Sequence, residues 1–237
     1  MRWQSVHATH VGLVRKVNED ATLDRPDLGI WAVADGMGGH SAGDLASQML
    51  VETLGRLRPQ RDLSTFVEFA EHGILTVNER LLELSRIRRQ VIGSTIVALL
   101  ACGRHCAFLW AGDSRLYRLR DDRLEQLTTD HSQVERYVQM GLLARESVHS
   151  HPDANLITRA VGASNPLYLD CDMAELRIGD RFLLSSDGLD KHVPATGIAQ
   201  CVRQPDLQRA AGQLVDLALE RGGTDNVSVC IVEIVSE

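Results

Sequence analysis

Apolar residues in this chain gather into short runs with two different periods. Ile30-Trp31-Ala32-Val33-Ala34 is an unbroken run of five that stops at Asp35 and passes at once into Gly36-Met37-Gly38-Gly39-His40. Continuity without alternation predicts a buried strand, and the glycines predict a sharp bend that lets something approach the backbone closely. Ser5 to Leu13 alternates moderately and predicts a first strand. Ser41-Ala42-Gly43-Asp44 has the form of a capping box, with Ala42, Leu45, Ala46, Met49, Leu50 and Thr53 at helical spacing behind it. A second helix is expected from about Ser64 to Ser85, with Phe66, Ala70, Ile74, Val77, Leu81 and Leu84 along one face.

The period then changes. Ser94 to Ala101 and His105 to Trp110 read as a hairpin around Cys102-Gly103-Arg104, and Arg115 to Leu119 follows with Asp121-Asp122 as its turn. Residues 128 to 155 are polar and rich in His, Glu and Arg, with one short helix expected around Ser132 to Met140; this part reads as a mobile excursion from the core. Strands resume at Leu167 to Cys171 and Arg181 to Leu184. Asp206 to Glu220 is a helix closed by Gly222-Gly223, and Val227 to Val235 is apolar on both parities except Glu233, the mark of a strand covered on two sides. Strands grouped into hairpins, with helices in separate blocks, predict an α+β fold with antiparallel sheets. No repeat or linker interrupts the chain, so residues 1–237 are expected to form a single domain.

Composition narrows the classes. A formal charge of −7 and a pI near 5.7 give no footprint for nucleic acid or an anionic membrane. Arg86-Ile87-Arg88-Arg89, the densest basic cluster, reads as a solvated helix end. Five cysteines without a CxxC fit a reduced, cytoplasmic protein in which cysteine serves as a small apolar residue. The N-terminus lacks the apolar core of a signal peptide, and the longest nearly apolar run, Ile96 to Cys102, is too short to span a bilayer. A free-standing monomer without a membrane segment is the expectation.

Three apolar runs end in an aspartate: Asp35, Asp113 after Gly112, and Asp187 after Ser185-Ser186. Taken singly, an Asp-Gly is more often a hairpin turn. Asp35-Gly36 fails that reading because a glycine loop and a helix follow it. Two unpaired carboxylates about 4 Å apart repel by roughly 4 kcal/mol at an effective dielectric of about 20. Aspartates gathered at one rim therefore imply cations between them, and an all-oxygen donor set suits Mg²⁺ or Mn²⁺ rather than zinc. A second reading is a serine hydrolase, because Gly39-His40-Ser41-Ala42-Gly43 matches GxSxG. That elbow needs a strand running straight into the serine, and Ser41 explains itself as an N-cap. Gly38-x-x-x-x-Gly43 is followed by Asp44 where a P-loop needs lysine.

Eight segments occur in an order that resembles the metal-dependent Ser/Thr protein phosphatases of the 2C type, in their compact bacterial form. They are Arg15-x-x-Asn18-Glu19-Asp20, Val33 through His40, Gly93-Ser94-Thr95, Gly112-Asp113-Ser114-Arg115, Asp130-His131-Ser132, Thr158-Arg159-Ala160-Val161-Gly162, Ser186-Asp187-Gly188-Leu189 and Gly223-Thr224-Asp225-Asn226. The resemblance implies a central sandwich of two antiparallel sheets flanked by helix pairs, four layers in all, with residues 128–155 as a flap beside the active site. It makes Asp35 the bridge between two Mn²⁺ or Mg²⁺ ions, with the Gly36 carbonyl on the first and Asp187 and Asp225 on the second. Asp113, with Asp187, resembles the holder of a weaker third ion. Arg15 would grip the substrate phosphate, whereas its spacing alone suggests an exposed ion pair with Glu19. Glu19 and Asp20 would orient the metal's waters. The position two residues after Asp35, a histidine in many eukaryotic relatives, is Met37, which leaves the general acid open between a metal-bound water and His40. The implied activity is hydrolysis of phosphoserine and phosphothreonine by a metal-bridging water, on phosphoproteins made by a bacterial Ser/Thr kinase. A catalytically dead relative that only binds phosphoproteins is the other reading, and retention of Asp35, Asp187, Asp225 and Arg15 argues against it.

Overall fold

The computed structural model describes residues 1–38 and 42–236. Two antiparallel sheets lie face to face. One has the order β1 (Arg2–His10), β11 (Val227–Val235), β10 (Arg181–Ser185), β7 (Arg115–Arg120), β8 (Arg123–Gln126). The other runs β2 (Asp20–Arg25), β3 (Ile30–Gly38), β5 (Ile96–Cys102), β6 (His105–Ala111), β9 (Asp170–Glu175), with short β4 (Ile92–Ser94) on the end of β3. Helices α1 (Ala42–Gly55) and α2 (Leu63–Arg88) cover the outer face of the second sheet. Helices α5 (Ala195–Val202) and α6 (Leu207–Glu220) cover the outer face of the first. The remaining helices are short: α3 (Gln133–Gln139), a 3-10 turn at Arg145–Ser150, and α4 (Asp187–Asp190). The expected four-layer α+β sandwich is what the chain forms.

Strand parity explains why the apolar runs are continuous. In β3, Trp31 and Val33 pack between the sheets while Ile30, Ala32 and Ala34 pack under α1 and α2. In β11, Cys230, Val232 and Ile234 face the other sheet while Val227, Val229 and Ile231 face α5 and α6. Both faces are buried, so neither parity is polar.

Several boundaries differ from the sequence pattern. The first strand is three residues earlier than expected and stops at His10, because Val11 to Glu19 turns away to supply a loop. Helix α2 starts at Leu63, since the Asp62 side chain accepts from the Thr65 N–H at 2.8 Å and caps it. The strand expected at Leu167 to Cys171 is displaced to Asp170–Glu175. Glycines close α6 as expected, with the Gly223 N–H reaching the Ala218 carbonyl at 3.0 Å. Gly39, His40 and Ser41, and with them the capping serine, lie outside the described residues.

Candidate metal centre

Five aspartates gather at one open end of the sandwich: Asp20 and Asp35 on the paired strands β2 and β3, Asp113 just after β6, Asp187 at the start of α4 and Asp225 just before β11. Asp35 shares the parity of Trp31 and Val33, so it faces the gap between the sheets where that gap opens. Its N–H donates to Thr95 Oγ1 at 3.0 Å, and its carbonyl accepts from the Thr95 N–H at 2.8 Å. Gly36 must be glycine: a Cβ there would stand 2.1 Å from the Gly43 carbonyl oxygen. Asp113 follows β6 through Gly112, whose φ of 119° and tight approach to Thr95 admit no side chain. Asp187 opens α4. A Cβ on its neighbour Gly188 would lie 1.9 Å from the Asn226 carbonyl oxygen, so this turn rests directly on the loop carrying Asp225. Asp20 sits opposite Asp35 in the β2–β3 register and accepts from Ser186 Oγ at 2.8 Å.

These carboxyls feel one another. Burial first, and then the charges of Asp20, Asp187, Asp113 and Asp225, push Asp35 well above the usual carboxylate range. Asp113 is raised the same way, by burial and then by Asp187, Asp130 and Asp190. Asp20 is pushed up to about 7 by burial, with Asp187 and Asp225 adding to it against hydrogen bonds from Ser228 and Ser186.

Among the described residues, two cations reach the cluster. Arg15 holds Asp225 with both arms, Nε to Oδ1 at 2.9 Å and Nη2 to Oδ2 at 3.1 Å. Lys191 Nζ lies 2.5 Å from Asp187 Oδ2 and 3.5 Å from Asp225 Oδ2. Five aspartates therefore face two cations. Oδ1 of Asp20, of Asp113 and of Asp187 is buried without a hydrogen-bond partner among the described residues.

Among the described residues, no three His, Cys, Asp or Glu side chains stand close enough together to enclose a metal ion as placed. Lys191 and Arg15 hold the oxygens of Asp187 and Asp225 instead. The donor chemistry still fits hard divalent cations: carboxylates and a backbone carbonyl, with buried oxygens left over and negative charge in excess.

The remaining site residues take unexpected places. Arg15 pairs with Asp225, and Glu19 is fastened elsewhere, its Oε1 accepting from the Gly43 N–H at 3.2 Å. The Glu19 carbonyl accepts from the Gly36 N–H at 3.1 Å and from Ser47 Oγ at 2.6 Å, so Glu19 secures the glycine bend. Sequence reasoning missed a buried trio beside the rim. Arg115 reaches Asp130 through Nε at 3.0 Å and Nη2 at 2.6 Å, and Asp190 through Nη1 at 2.8 Å. Burial pushes Asp190 up to about 7 against the pull of Arg115. Lys191 was missed too, although its place four residues after Asp187 puts it one turn away on the same face. Asp113, Asp187 and Lys191 line a cavity of about 250 Å³. It shares Asp130, Asp190 and His149 with a second cavity of about 240 Å³ bounded by the 132–149 segment.

Comparison with known proteins decides the family. A model described as protein phosphatase 2C matches residues 14–218. The chain belongs to the protein phosphatase 2C family. It is 35% identical over 226 residues to the serine/threonine protein phosphatase PstP of Mycobacterium tuberculosis, an overlap covering 94% of this chain but only 43% of that protein. The chain thus spans less than half the length of that 2C relative. Its structure resembles PppA, a key regulatory component of T6SS in Pseudomonas aeruginosa, with TM-score 0.93, 41% identity and 98% of each chain covered. The catalytic domain of PstP in complex with two manganese ions matches at TM-score 0.90 and 33% identity, covering 99% of each chain.

Proposed function

We propose that this chain is a metal-dependent protein phosphatase that hydrolyses phosphoserine and phosphothreonine. The observation carrying this reading is the rim of five aspartates, drawn from distant parts of the chain, with three buried oxygens unpartnered among the described residues. The 2C relatives named as Ser/Thr phosphatases, and the PstP domain with two manganese ions, support it. Asp35 would bridge two ions, Mn²⁺ or Mg²⁺, with the Gly36 carbonyl joining the first and Asp187 and Asp225 holding the second. Asp113, with Asp187, would hold a weaker third. Bound there, such ions would lower the pKa of a water to about 7 and supply a positive field for the phosphoryl oxygens.

The chain's own groups do the rest. Arg15 presents a planar fork that fits two oxygens of an anion at once, as it does on Asp225, and its side chain is 53% exposed and reachable by a phosphate. Asp20, held by Ser186, and Glu19, which pins the glycine bend, keep the ligating groups in place. The four layers work as one catalytic unit, with residues 128–155 as a flap over the cavities that shapes substrate choice. Among the described residues no helix is long and apolar enough to cross a membrane. We place the enzyme in the cytoplasm as a monomer, opposing a bacterial Ser/Thr kinase.

The test is phosphate release from a phosphothreonine peptide with Mn²⁺ and with chelator. Release that needs the metal is expected. Release untouched by chelator overturns the metal reading, and phosphopeptide binding without release in either condition leaves the inactive-relative reading standing.

A further inference from the structure

We propose that Lys191 is a tethered cation that competes with a divalent ion for Asp187 and Asp225, and thereby sets how tightly this chain binds metal. The inference rests on the reading above, in which those two aspartates share an ion. The Lys191 ammonium already bridges them, at 2.5 Å from one carboxylate and 3.5 Å from the other. An ion drawing on the same Oδ2 atoms must displace it, because like charges that close together repel strongly.

The lysine is placed there by the fold. Asp187 and Lys191 stand one helical turn apart, and the Lys191 N–H donates to the Asp187 carbonyl at 3.1 Å, which closes the turn. That turn is stitched to the Asp225 loop at two further points. Gly188 lies against the Asn226 carbonyl, and His192 Nε2 accepts from the Thr224 N–H at 3.2 Å. Among the described residues the ammonium pairs with no other carboxylate, and its side chain is only 24% exposed, so water does not compete freely for it. Without a divalent ion the lysine offsets part of the repulsion among the aspartates. With the ion bound it becomes surplus positive charge beside the site.

The experiment measures metal binding rather than turnover. Mn²⁺ is titrated into the wild-type chain and into Lys191→Met, Lys191→Gln and Lys191→Arg by calorimetry, and melting is followed in chelator and in saturating Mn²⁺. The neutral variants are expected to bind Mn²⁺ at least about tenfold more tightly, a difference of about 1.4 kcal/mol. They should melt lower than wild type in chelator and at or above it in Mn²⁺, while Lys191→Arg stays near wild type. A purely structural lysine would lower melting in both conditions and leave the affinity unchanged, which overturns the proposal. Weaker Mn²⁺ binding in the neutral variants also overturns it. Absence of Mn²⁺ binding in every protein, wild type included, overturns the metal centre itself, an outcome distinct from failure of the Lys191 inference alone.

Discussion

Strand β10 has one aspartate just before it and another just after it, and the two behave as opposites. Asp180 is 2% exposed and every oxygen it owns is taken. Arg120 donates to Oδ1 at 2.7 Å and to Oδ2 at 2.6 Å, and the Arg177 N–H adds a bond to Oδ2 at 2.8 Å. Asp187 is 9% exposed, has Lys191 on one oxygen, and leaves Oδ1 buried and unpartnered among the described residues. Burial of a carboxylate therefore does not mark a site. What sets Asp187 apart from Asp180 is the oxygen left without a partner, since a fold that only needed to be stable has reason to pair it or replace it.

The widest separation between these two residues is expected in catalysis. Asp187→Asn should lower metal-dependent phosphate release by about 10²–10³-fold, the range seen when one fixed electrostatic contact to a transition state is removed. Stability in chelator should hold within about 1 kcal/mol, since the charge lost stood among like charges. Near-normal turnover in that variant would erase the distinction.

Asp180→Ala should do the reverse. Removing one partner leaves the Arg120 guanidinium, 18% exposed in its side chain, without its carboxylate. The expected cost is about 3 kcal/mol of unfolding free energy by denaturant titration, the lower end for a broken buried pair. Phosphate release per folded molecule should be unchanged. A loss of turnover without a loss of stability would show that the two ends of β10 do not divide as drawn.

What could be read in the sequence follows the same division. Asp35, Asp113 and Asp187 were visible because each ends an apolar run, and a run stopping dead at a carboxylate is a pattern along the chain. The sandwich was visible because both parities of β3 and β11 are apolar. Strand β2 was not, since DATLDR offers only Ala21 and Leu23 as apolar positions and lies at a sheet edge. Helix α5, Ala195–Val202, is two turns long with a glycine inside it, too short for its period to stand out. Arg15 looked like half of an i,i+4 pair with Glu19. That spacing has meaning only on a helix, and the segment is a loop whose true partner, Asp225, lies 210 residues away. Lys191 and the Arg115–Asp130–Asp190 trio were hidden for a similar reason. Charged residues in polar stretches look alike until folding shows which of them are buried together.

A third carboxylate, Asp24, sharpens the comparison at the smallest scale. It belongs with Asp180, because its oxygens take Ser5 Oγ at 2.5 Å, Trp31 Nε1 at 3.1 Å and His7 Nδ1 at 3.3 Å. Burial opposes ionisation here, yet the hydrogen bonds from His7 and Ser5 win and hold Asp24 below its usual range. A depressed carboxyl contributes stability that is present above the unfolded value of about 4 and lost as pH falls through the lower folded value. His7 is raised, chiefly by its hydrogen bond to Asp24, so its share is present below about 6.5 and lost as pH rises through its folded value. Together they stabilise most between those limits. Asp24→Asn should therefore cost about 1 kcal/mol near pH 5 by denaturant titration. The difference from wild type should shrink toward pH 2 and also, by the histidine's part, toward pH 8. The rim aspartates must show the opposite sign without a divalent ion. Asp20, raised to about 7, binds its proton more tightly folded than unfolded, so its contribution falls as pH climbs from about 4 to about 7. An Asp24→Asn difference that grew as pH fell from about 5 toward about 2 would mean that satisfied and unsatisfied carboxylates are not told apart by their partners.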